Sequence, residues 1–279
     1  MRDRALADAE ADPRHPLRLP ADNEAFAPEF PAGLQWVNVA FLRMAVQIGR
    51  PVLVEFFDFA RINSLRTLPY TVAWDERYGP AGLRVIGVHS PGYSFGRDPD
   101  VAVPAIEKLG IPYAVVLDPD FVVWREYGNR GWPARYLFDR RGVLRLVHWG
   151  EGEYDDAEAM IHELLDEADT GVDLPPPMEP LRPEDRPGAA LEPQTADVVL
   201  PADRGRLELT GDWTEGTDYI EATTPGATAR VPYRAGEAYA VLSGTAGAGL
   251  HPTSGTITAD TAGLRLHGFQ FTPIPPSGS

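Results

Sequence analysis

The sequence contains no cysteine among its 279 residues. Disulfide bonds, thiolate catalysis and thiolate-ligated metal sites are therefore excluded. Basic residues are also scarce. The sequence has 25 lysines and arginines but 41 aspartates and glutamates, which gives a formal net charge of −16 at pH 7. Nucleic-acid backbones are bound by clustered lysine and arginine, so this balance argues against a nucleic-acid partner.

Long apolar runs are missing as well. No stretch approaches the roughly 18 uninterrupted apolar residues that a transmembrane helix needs, and we expect no membrane span. Residues 1–26 are polar and lack the apolar segment of a secretory signal peptide. We therefore expect a cytoplasmic protein, with an extracytoplasmic location as the alternative if the chain is part of a longer one.

Motifs for metal ions and phosphate are lacking too. The six histidines are scattered, and no two of them have a spacing typical of metal ligands. The glycine-rich stretch from Gly244 lacks the lysine and the helix of a phosphate-binding loop. We accordingly expect neither a metal ion nor another cofactor.

The chain nevertheless has the composition of a folded protein, with 43% hydrophobic residues. Its middle part alternates buried-strand patterns with helix patterns, which predicts an α/β layer in which helices flank a mixed sheet. The predicted strands lie at 51–57, from Leu83, at 113–117, at 134–138 and at 143–148. The predicted helices lie at 36–49, 65–78, 101–109 and 155–168.

The composition changes after Thr170. The proline-rich stretch 171–197 predicts a stiff, extended linker. From 198 to 279, short apolar strands alternate with turns of glycine, threonine and aspartate, a pattern typical of a small all-β sandwich. The predicted organisation is an irregular N-terminal arm at 1–35, an α/β domain at 36–170, the linker and the β-sandwich.

One segment resembles a known family. VEFFDFARINSLRTLPY, from Val54 to Tyr70, is similar to the active-site region in the thioredoxin-like part of DipZ proteins, which normally reads close to VDFWTYSCINCLRTLPYL. The two family cysteines fall on Arg61 and Ser64. Blocks at 85–91 and 124–142 continue the resemblance, and the β-rich C-terminal region carries it more weakly.

The resemblance implies a thioredoxin-like fold followed by a carbohydrate-binding-module-like β-sandwich. It also implies that thiol–disulfide exchange is lost, because a serine does not provide the thiolate that this reaction needs. Glu55 stands where such proteins often keep a buried acid, and Pro133 stands at the family's cis-proline. The residues that we expect at the former active-site groove are Glu55 and Arg61 as catalytic candidates, and Asp58, Phe59, Ser64, Trp132 and Pro133 as ligand-binding candidates.

Arg61 places a positive charge at the positive end of a predicted helix, which is unfavourable unless an anion lies nearby. We expect it to pair with Glu55, with Asp58 or with a bound anion, and the alternative is that its side chain points into water. The groove around Trp132 and Pro133 is either a retained binding site or a structural feature that remains although the redox function is lost.

Two functions from different classes stay open. The first is a redox-inactive protein that binds a peptide, a protein or a small ligand in the groove. The alternative is a non-redox enzyme, for example in small-molecule biosynthesis, in which Glu55 and Arg61 carry acid–base chemistry. In the β-sandwich a saccharide is a further partner if exposed aromatic side chains stack on it, although such residues more often belong to the core; they are Trp213, Tyr219, Tyr233 and Tyr239.

Overall fold

The computed structural model describes residues 15–169 and 171–275. The chain forms two compact units. The first comprises the chain up to Asp58, Asn63–Ser90 and Ile106–Leu181, and the second comprises Phe59–Ile62, Pro91–Ala105 and the chain from Arg182. The predicted domain borders stay predictions, and residues 1–14 of the predicted arm lie outside the described residues.

The first unit is built on one mixed sheet. Its central strands come from apolar runs rich in valine, leucine and phenylalanine, which are buried along their length and suit an internal strand position. The strands are β1 (Leu17–Arg18), β2 (Trp36–Val37), β3 (Val52–Phe57), β4 (Arg84–His89), β5 (Ala114–Leu117), β6 (Ala134–Phe138) and β7 (Leu144–Trp149).

The strand order in this sheet is β1-β7-β6-β3-β4-β5-β2. β3, β4 and β5 run parallel, and every other pairing is antiparallel. Helices connect the parallel strands, as such crossovers require. The helices are α1 (Ile62–Tyr78), α2 (Pro99–Lys108), α3 (Val122–Tyr127) and α4 (Tyr154–Ala168). The predicted α/β layer with a mixed sheet is confirmed.

Aromatic side chains fill one side of the sheet in the first unit. The ring of Phe56 lies 5.4 Å from that of Tyr127 and 5.5 Å from that of Tyr136, both in edge-on contacts. Phe30, from the N-terminal part of the chain, stacks on Tyr127 at 6.2 Å. Edge-on and offset ring pairs add to the stabilisation that burial already provides. The N-terminal part is therefore packed against the core of the sheet.

The predicted helix at 36–49 is wrong. Trp36 and Val37 pair with β5 as a strand, and only Met44–Gln47 form a short 3-10 helix. Between them Asn38 adopts a positive φ of 71°, and its side-chain amide donates to the carbonyls of Ile111 and Tyr113 at 2.8 Å. Pairing with an existing sheet outweighs the weak helical pattern of this segment.

The second unit contains two antiparallel sheets. One has the order β10-β11-β16-β13-β14, with β8 also paired to β16, and the other has the order β15-β12-β9. Side chains of both sheets join one apolar core, which makes the arrangement the predicted sandwich. The strands are β8 (Val198–Val199), β9 (Glu208–Thr210), β10 (Trp213–Glu215), β11 (Ile220–Ala222), β12 (Thr228–Arg230), β13 (Ala238–Gly244), β14 (Gly249–Thr253), β15 (Thr256–Thr258) and β16 (Leu264–Phe271).

Among residues 15–169 and 171–275, none of the helices has the length and apolar character needed to cross a bilayer.

A substitution at Gly87 in β4 tests how tightly side chains pack around the parallel strands. A Cβ atom there would lie 3.1 Å from side-chain atoms of Phe57 and Val115. We expect Gly87→Ala to lower the free energy of unfolding by about 1–3 kcal/mol, because extra volume in a filled core forces its neighbours apart. Urea unfolding followed by circular dichroism measures the change. Gly131→Ala is the matched control, since nothing lies within 4 Å of its added Cβ, and equal effects of the two substitutions would contradict the prediction.

Candidate functional site

Polar side chains collect where the parallel strands of the first unit end. Asp58 follows β3, His89 closes β4 and Asp118 follows β5. Because β3, β4 and β5 are adjacent and parallel, their carboxyl ends meet at one edge of the sheet. All three side chains are buried. The topology thus gathers polar side chains that lie far apart in the sequence.

The first polar contact at this edge joins Asp58 and Ser64. The backbone N–H of Asp58 donates to the hydroxyl oxygen of Ser64 at 3.2 Å, and both residues are buried. The Asp58 carboxylate lies 3.6 Å from the Nε2 atom of His89. Ser64 therefore ties the end of β3 to the first turn of α1, and its hydroxyl is directed into the protein.

Asp118 organises the next part of the edge. Its carboxylate accepts hydrogen bonds from the Ser90 hydroxyl and from the backbone N–H groups of Val123 and Trp124, at 2.9–3.0 Å. Burial raises the pKa of Asp118, and these hydrogen bonds partly oppose the rise. The carboxylate caps the start of α3, a helix that the sequence reasoning did not predict, and it fixes the position of Trp124.

Three half-buried rings form an aromatic surface of the first unit, which we define as Phe121, Trp124 and Trp132. The ring centres of Trp124 and Trp132 are 4.4 Å apart, and that of Phe121 lies 6.1 Å from that of Trp132. The indole N–H of Trp132 donates to the carbonyl of Ser90 at 2.8 Å. The following Pro133 is buried, and the Trp132–Pro133 peptide bond is cis.

Glu55 lies in the middle of β3 and is wholly buried. It faces Arg135 across the β3–β6 pair, and one of its oxygens accepts a hydrogen bond from the Tyr113 hydroxyl at 3.2 Å. Burial raises the pKa of Glu55 to about 7, although Thr71, Arg135 and Tyr113 lower it in part. Within the described part of the chain, its other carboxylate oxygen has no hydrogen-bond partner.

In the second unit, the buried side-chain amide of Gln270 on β16 holds the loop that precedes α1. Its oxygen accepts a hydrogen bond from the backbone N–H of Ile62 at 2.7 Å. Its nitrogen donates to the carbonyl of Ala60 at 2.9 Å and to the hydroxyl of Tyr93 at 3.0 Å. Ile62 is the first residue of α1, so Gln270 caps that helix end.

Arg61 and Phe59 belong to this loop. The Arg61 guanidinium lies over the ring of Tyr93, 5.3 Å from its centre. Burial raises the pKa of Asp197, and the positive charge of Arg61 partly opposes this rise. Arg61 thus has an aromatic and an acidic neighbour that sequence reasoning missed. The ring centres of Phe59 and Phe95 are 5.9 Å apart. The predicted pairing of Arg61 with Glu55 or Asp58 stays a prediction, and these carboxylates belong to the first unit.

The residues that were predicted to form one groove belong to two different units, and the groove stays a prediction. Glu55, Asp58 and Ser64 belong to the first unit together with the two residues of the cis peptide bond, whereas Phe59 and Arg61 belong to the second. Asp118 and Gln270 were missed. Asp118 had a weak signal as an acid directly after a strand, but nothing in the sequence around Gln270 connects it with residues 60–62.

The aromatic residues proposed for saccharide stacking have differing surroundings in the second unit. Trp213 is buried, and its indole N–H donates to the carbonyl of Thr210 at 3.0 Å. Tyr233 stacks on the core residue Phe271 with ring centres 5.2 Å apart. Tyr219 and Tyr239 are half-buried, and a saccharide at these rings stays a prediction.

The sheet order and the sequence relatives show that the chain has a thioredoxin-like fold. It is 35% identical over 221 residues to Protein DipZ of Mycobacterium tuberculosis (strain CDC 1551 / Oshkosh), and the match covers 71% of this chain and 32% of DipZ. The chain thus spans about a third of the length of that relative. Since it contains no cysteine, it lacks the thiols of a thiol–disulfide exchange reaction.

Two further relatives are more distant. NHL repeat-containing protein 2 of Homo sapiens is 27% identical over 207 residues, which are 70% of this chain and 28% of the relative. Thiol-disulfide oxidoreductase YkuV of Bacillus subtilis (strain 168) is 23% identical over 142 residues, which are 51% of this chain and 95% of the relative. No family model matches the chain.

Solved structures of thioredoxin-like proteins match about half of the chain. The thioredoxin-like superfamily protein SPOA0173 is 24% identical, and the match covers 55% of this chain and all of that structure with a TM-score of 0.47. A thiol-disulfide isomerase from Corynebacterium glutamicum is 25% identical, and the match covers 50% of this chain and 96% of that structure with a TM-score of 0.44.

Glu55 should make stability depend on pH. The pKa of Glu55 is about 7 in the folded protein, whereas its ordinary value is 4.5, so the folded state binds the proton more tightly than the unfolded state does. The free energy of unfolding should therefore fall as the pH rises from about 4.5 to about 7, by up to about 3 kcal/mol. Glu55→Gln should remove this decline.

Urea unfolding across this pH range measures the free energy of unfolding of the wild type and of Glu55→Gln. The pH dependence that comes from other titrating groups cancels in the difference between the two proteins. Glu107→Gln, at an exposed position, is the control for the loss of one negative charge. A constant difference between the wild type and Glu55→Gln at all pH values would contradict the prediction.

Gln270 should stabilise the second unit through its amide. Gln270→Ala leaves the Ile62 N–H, the Ala60 carbonyl and the Tyr93 hydroxyl without their shared partner. We expect the free energy of unfolding to fall by about 1–3 kcal/mol, the usual cost of unsatisfied buried polar groups. Gln270→Glu keeps an acceptor but loses the donor, so it should also destabilise.

Urea midpoints and slopes measure both effects. Gln194→Ala is the matched control, because the side-chain amide of Gln194 makes a longer bond of 3.4 Å to the carbonyl of Phe271. If Gln194→Ala and Gln270→Ala destabilise equally, the amide of Gln270 has no special role.

Proposed function

We propose that this chain is a redox-inactive thioredoxin-like module that binds a peptide, a protein or a small ligand without covalent chemistry. The aromatic surface of Phe121, Trp124 and Trp132 is its contact region. The observation that carries the proposal is the contrast between this surface and Ser64, one of the two residues at the family's cysteine positions. Trp132 stays partly accessible, whereas Ser64 is buried and hydrogen-bonded to Asp58.

The properties of the aromatic surface support recognition. Large rings provide contact area at a low cost in side-chain entropy, and tryptophan is prominent among residues that dominate binding energy. Trp132 is held by its hydrogen bond to the Ser90 carbonyl and by its contact with Trp124. Trp124 is in turn fixed through Asp118. A ring that is already positioned loses little freedom when a ligand binds.

The second candidate function is a non-redox acid–base enzyme. The raised pKa of Glu55 and its carboxylate oxygen without a hydrogen-bond partner in the described part of the chain favour it. A general acid or base must, however, come within hydrogen-bond reach of its substrate. Glu55 has no exposed surface, so the binding module has the stronger support.

A selection from displayed random peptides on the immobilised full chain tests the binding function, and native mass spectrometry of the same chain tests small ligands. For any ligand found, Trp132→Ala should weaken binding about tenfold or more, the loss typical of an aromatic residue at the centre of an interface. Fluorescence polarisation measures the dissociation constants.

Tyr233→Ala is the matched control, because it removes a partly exposed ring of the second unit and should leave the affinity unchanged. The aromatic surface is excluded if Trp132→Ala binds as the wild type does. Failure of both searches to find a ligand would argue against the binding function itself.

A further inference from the structure

A second surface of the first unit shares no residue with the aromatic surface of Phe121, Trp124 and Trp132. An apolar groove of about 680 Å³ is lined by residues of the single stretch 29–43. This volume falls within the roughly 300–1,000 Å³ of sites that bind small molecules. The side chains that line it include Glu29, Phe30, Trp36, Phe41, Leu42 and Arg43.

Hydrogen bonds and strand pairing hold the backbone segments that line the groove. The Glu29 carboxylate accepts hydrogen bonds from the backbone N–H groups of Phe30, Met44 and Ala45, at 2.6–3.1 Å. Trp36 pairs with β5, and its ring stands edge-on against Phe30 at 5.2 Å. Both sides of the groove are thus attached to the fold, and the site is formed before a ligand arrives.

Phe30 is buried, but three other apolar side chains at this groove are only partly buried. Phe41 keeps 71% of its surface exposed, and Trp36 and Leu42 are half-buried. Full burial of a phenylalanine side chain stabilises by about 1.5–3 kcal/mol. An apolar ligand that covers Phe41 gains part of this free energy.

The charged side chains at the groove indicate which charge the ligand carries. Both Glu29 oxygens already accept backbone hydrogen bonds. Arg43 is exposed, and among residues 15–169 and 171–275 its guanidinium makes no ion pair or hydrogen bond. This guanidinium can therefore donate hydrogen bonds to an anionic group on the ligand.

From these observations we infer that the groove binds a monocarboxylate with an apolar chain, of the fatty-acid class. The chain lies along Phe30, Trp36 and Phe41, and the carboxylate pairs with the Arg43 guanidinium at the mouth. This inference does not depend on the aromatic surface of Phe121, Trp124 and Trp132, because the two sites share no residue.

Isothermal titration of the full chain with dodecanoate tests the proposal, with dodecanol as the uncharged probe. We expect one dodecanoate per chain and weaker binding of dodecanol. Arg43→Gln should weaken dodecanoate about tenfold or more, the value of a charge-assisted hydrogen bond, and should leave dodecanol unaffected. Phe41→Ser should weaken both probes.

Two matched controls locate the site. Arg140→Gln removes an exposed arginine outside the groove, and Phe26→Ser removes an exposed phenylalanine from a smaller neighbouring groove of about 220 Å³. Neither should change the affinity. Absence of dodecanoate binding, equal weakening by Phe26→Ser and Phe41→Ser, or equal affinity of dodecanoate and dodecanol would each overturn the proposal.

Discussion

The hydrogen bonds at the start of α1 are the constraint on which the surroundings of the lost cysteines depend. A helix begins with backbone N–H groups that have no partner inside the helix, and buried groups of this kind destabilise unless an acceptor is supplied. Here the Gln270 amide accepts from Ile62, and the Ser64 hydroxyl accepts from the N–H of Asp58 before the helix. The segment that carries the cysteines in the family is thus held here by hydrogen bonds to Gln270 within the second unit and to Ser64 within the first.

The structural surroundings of a thioredoxin-like active site are present in this chain, whereas the reactive thiols are absent. Glu55 is still buried opposite Arg135, and Trp132 still precedes a cis-proline, although no thiol remains for either of them to serve. A buried carboxyl group opposes folding when it ionises, so its retention without a reaction is unfavourable at neutral pH. The aromatic surface of Phe121, Trp124 and Trp132 remains partly accessible, and side chains of this kind are suited to non-covalent recognition.

Much of the α/β layer was predictable from local pattern. The runs of β3, β4 and β5 are mainly apolar, with Glu55 as the charged exception within β3, and internal parallel strands need such runs because both of their faces are buried. The segment from Trp36 was mispredicted, since its spacing is ambiguous and pairing with β5 decided its structure. Helix α3 was missed because its start depends on Asp118, a carboxylate outside the helix.

The absence of cysteine, and with it the loss of thiol chemistry at Arg61 and Ser64, follows from the sequence by itself. Residue identity fixes which reactions are open to a side chain, whatever the fold. Only the tertiary structure decided what those positions contact. Gln270 lies 208 residues from Ile62 in the chain, and no local pattern encodes a hydrogen bond over that separation. The contact exists because the packing of the second unit brings two short segments together and leaves their polar groups to satisfy one another.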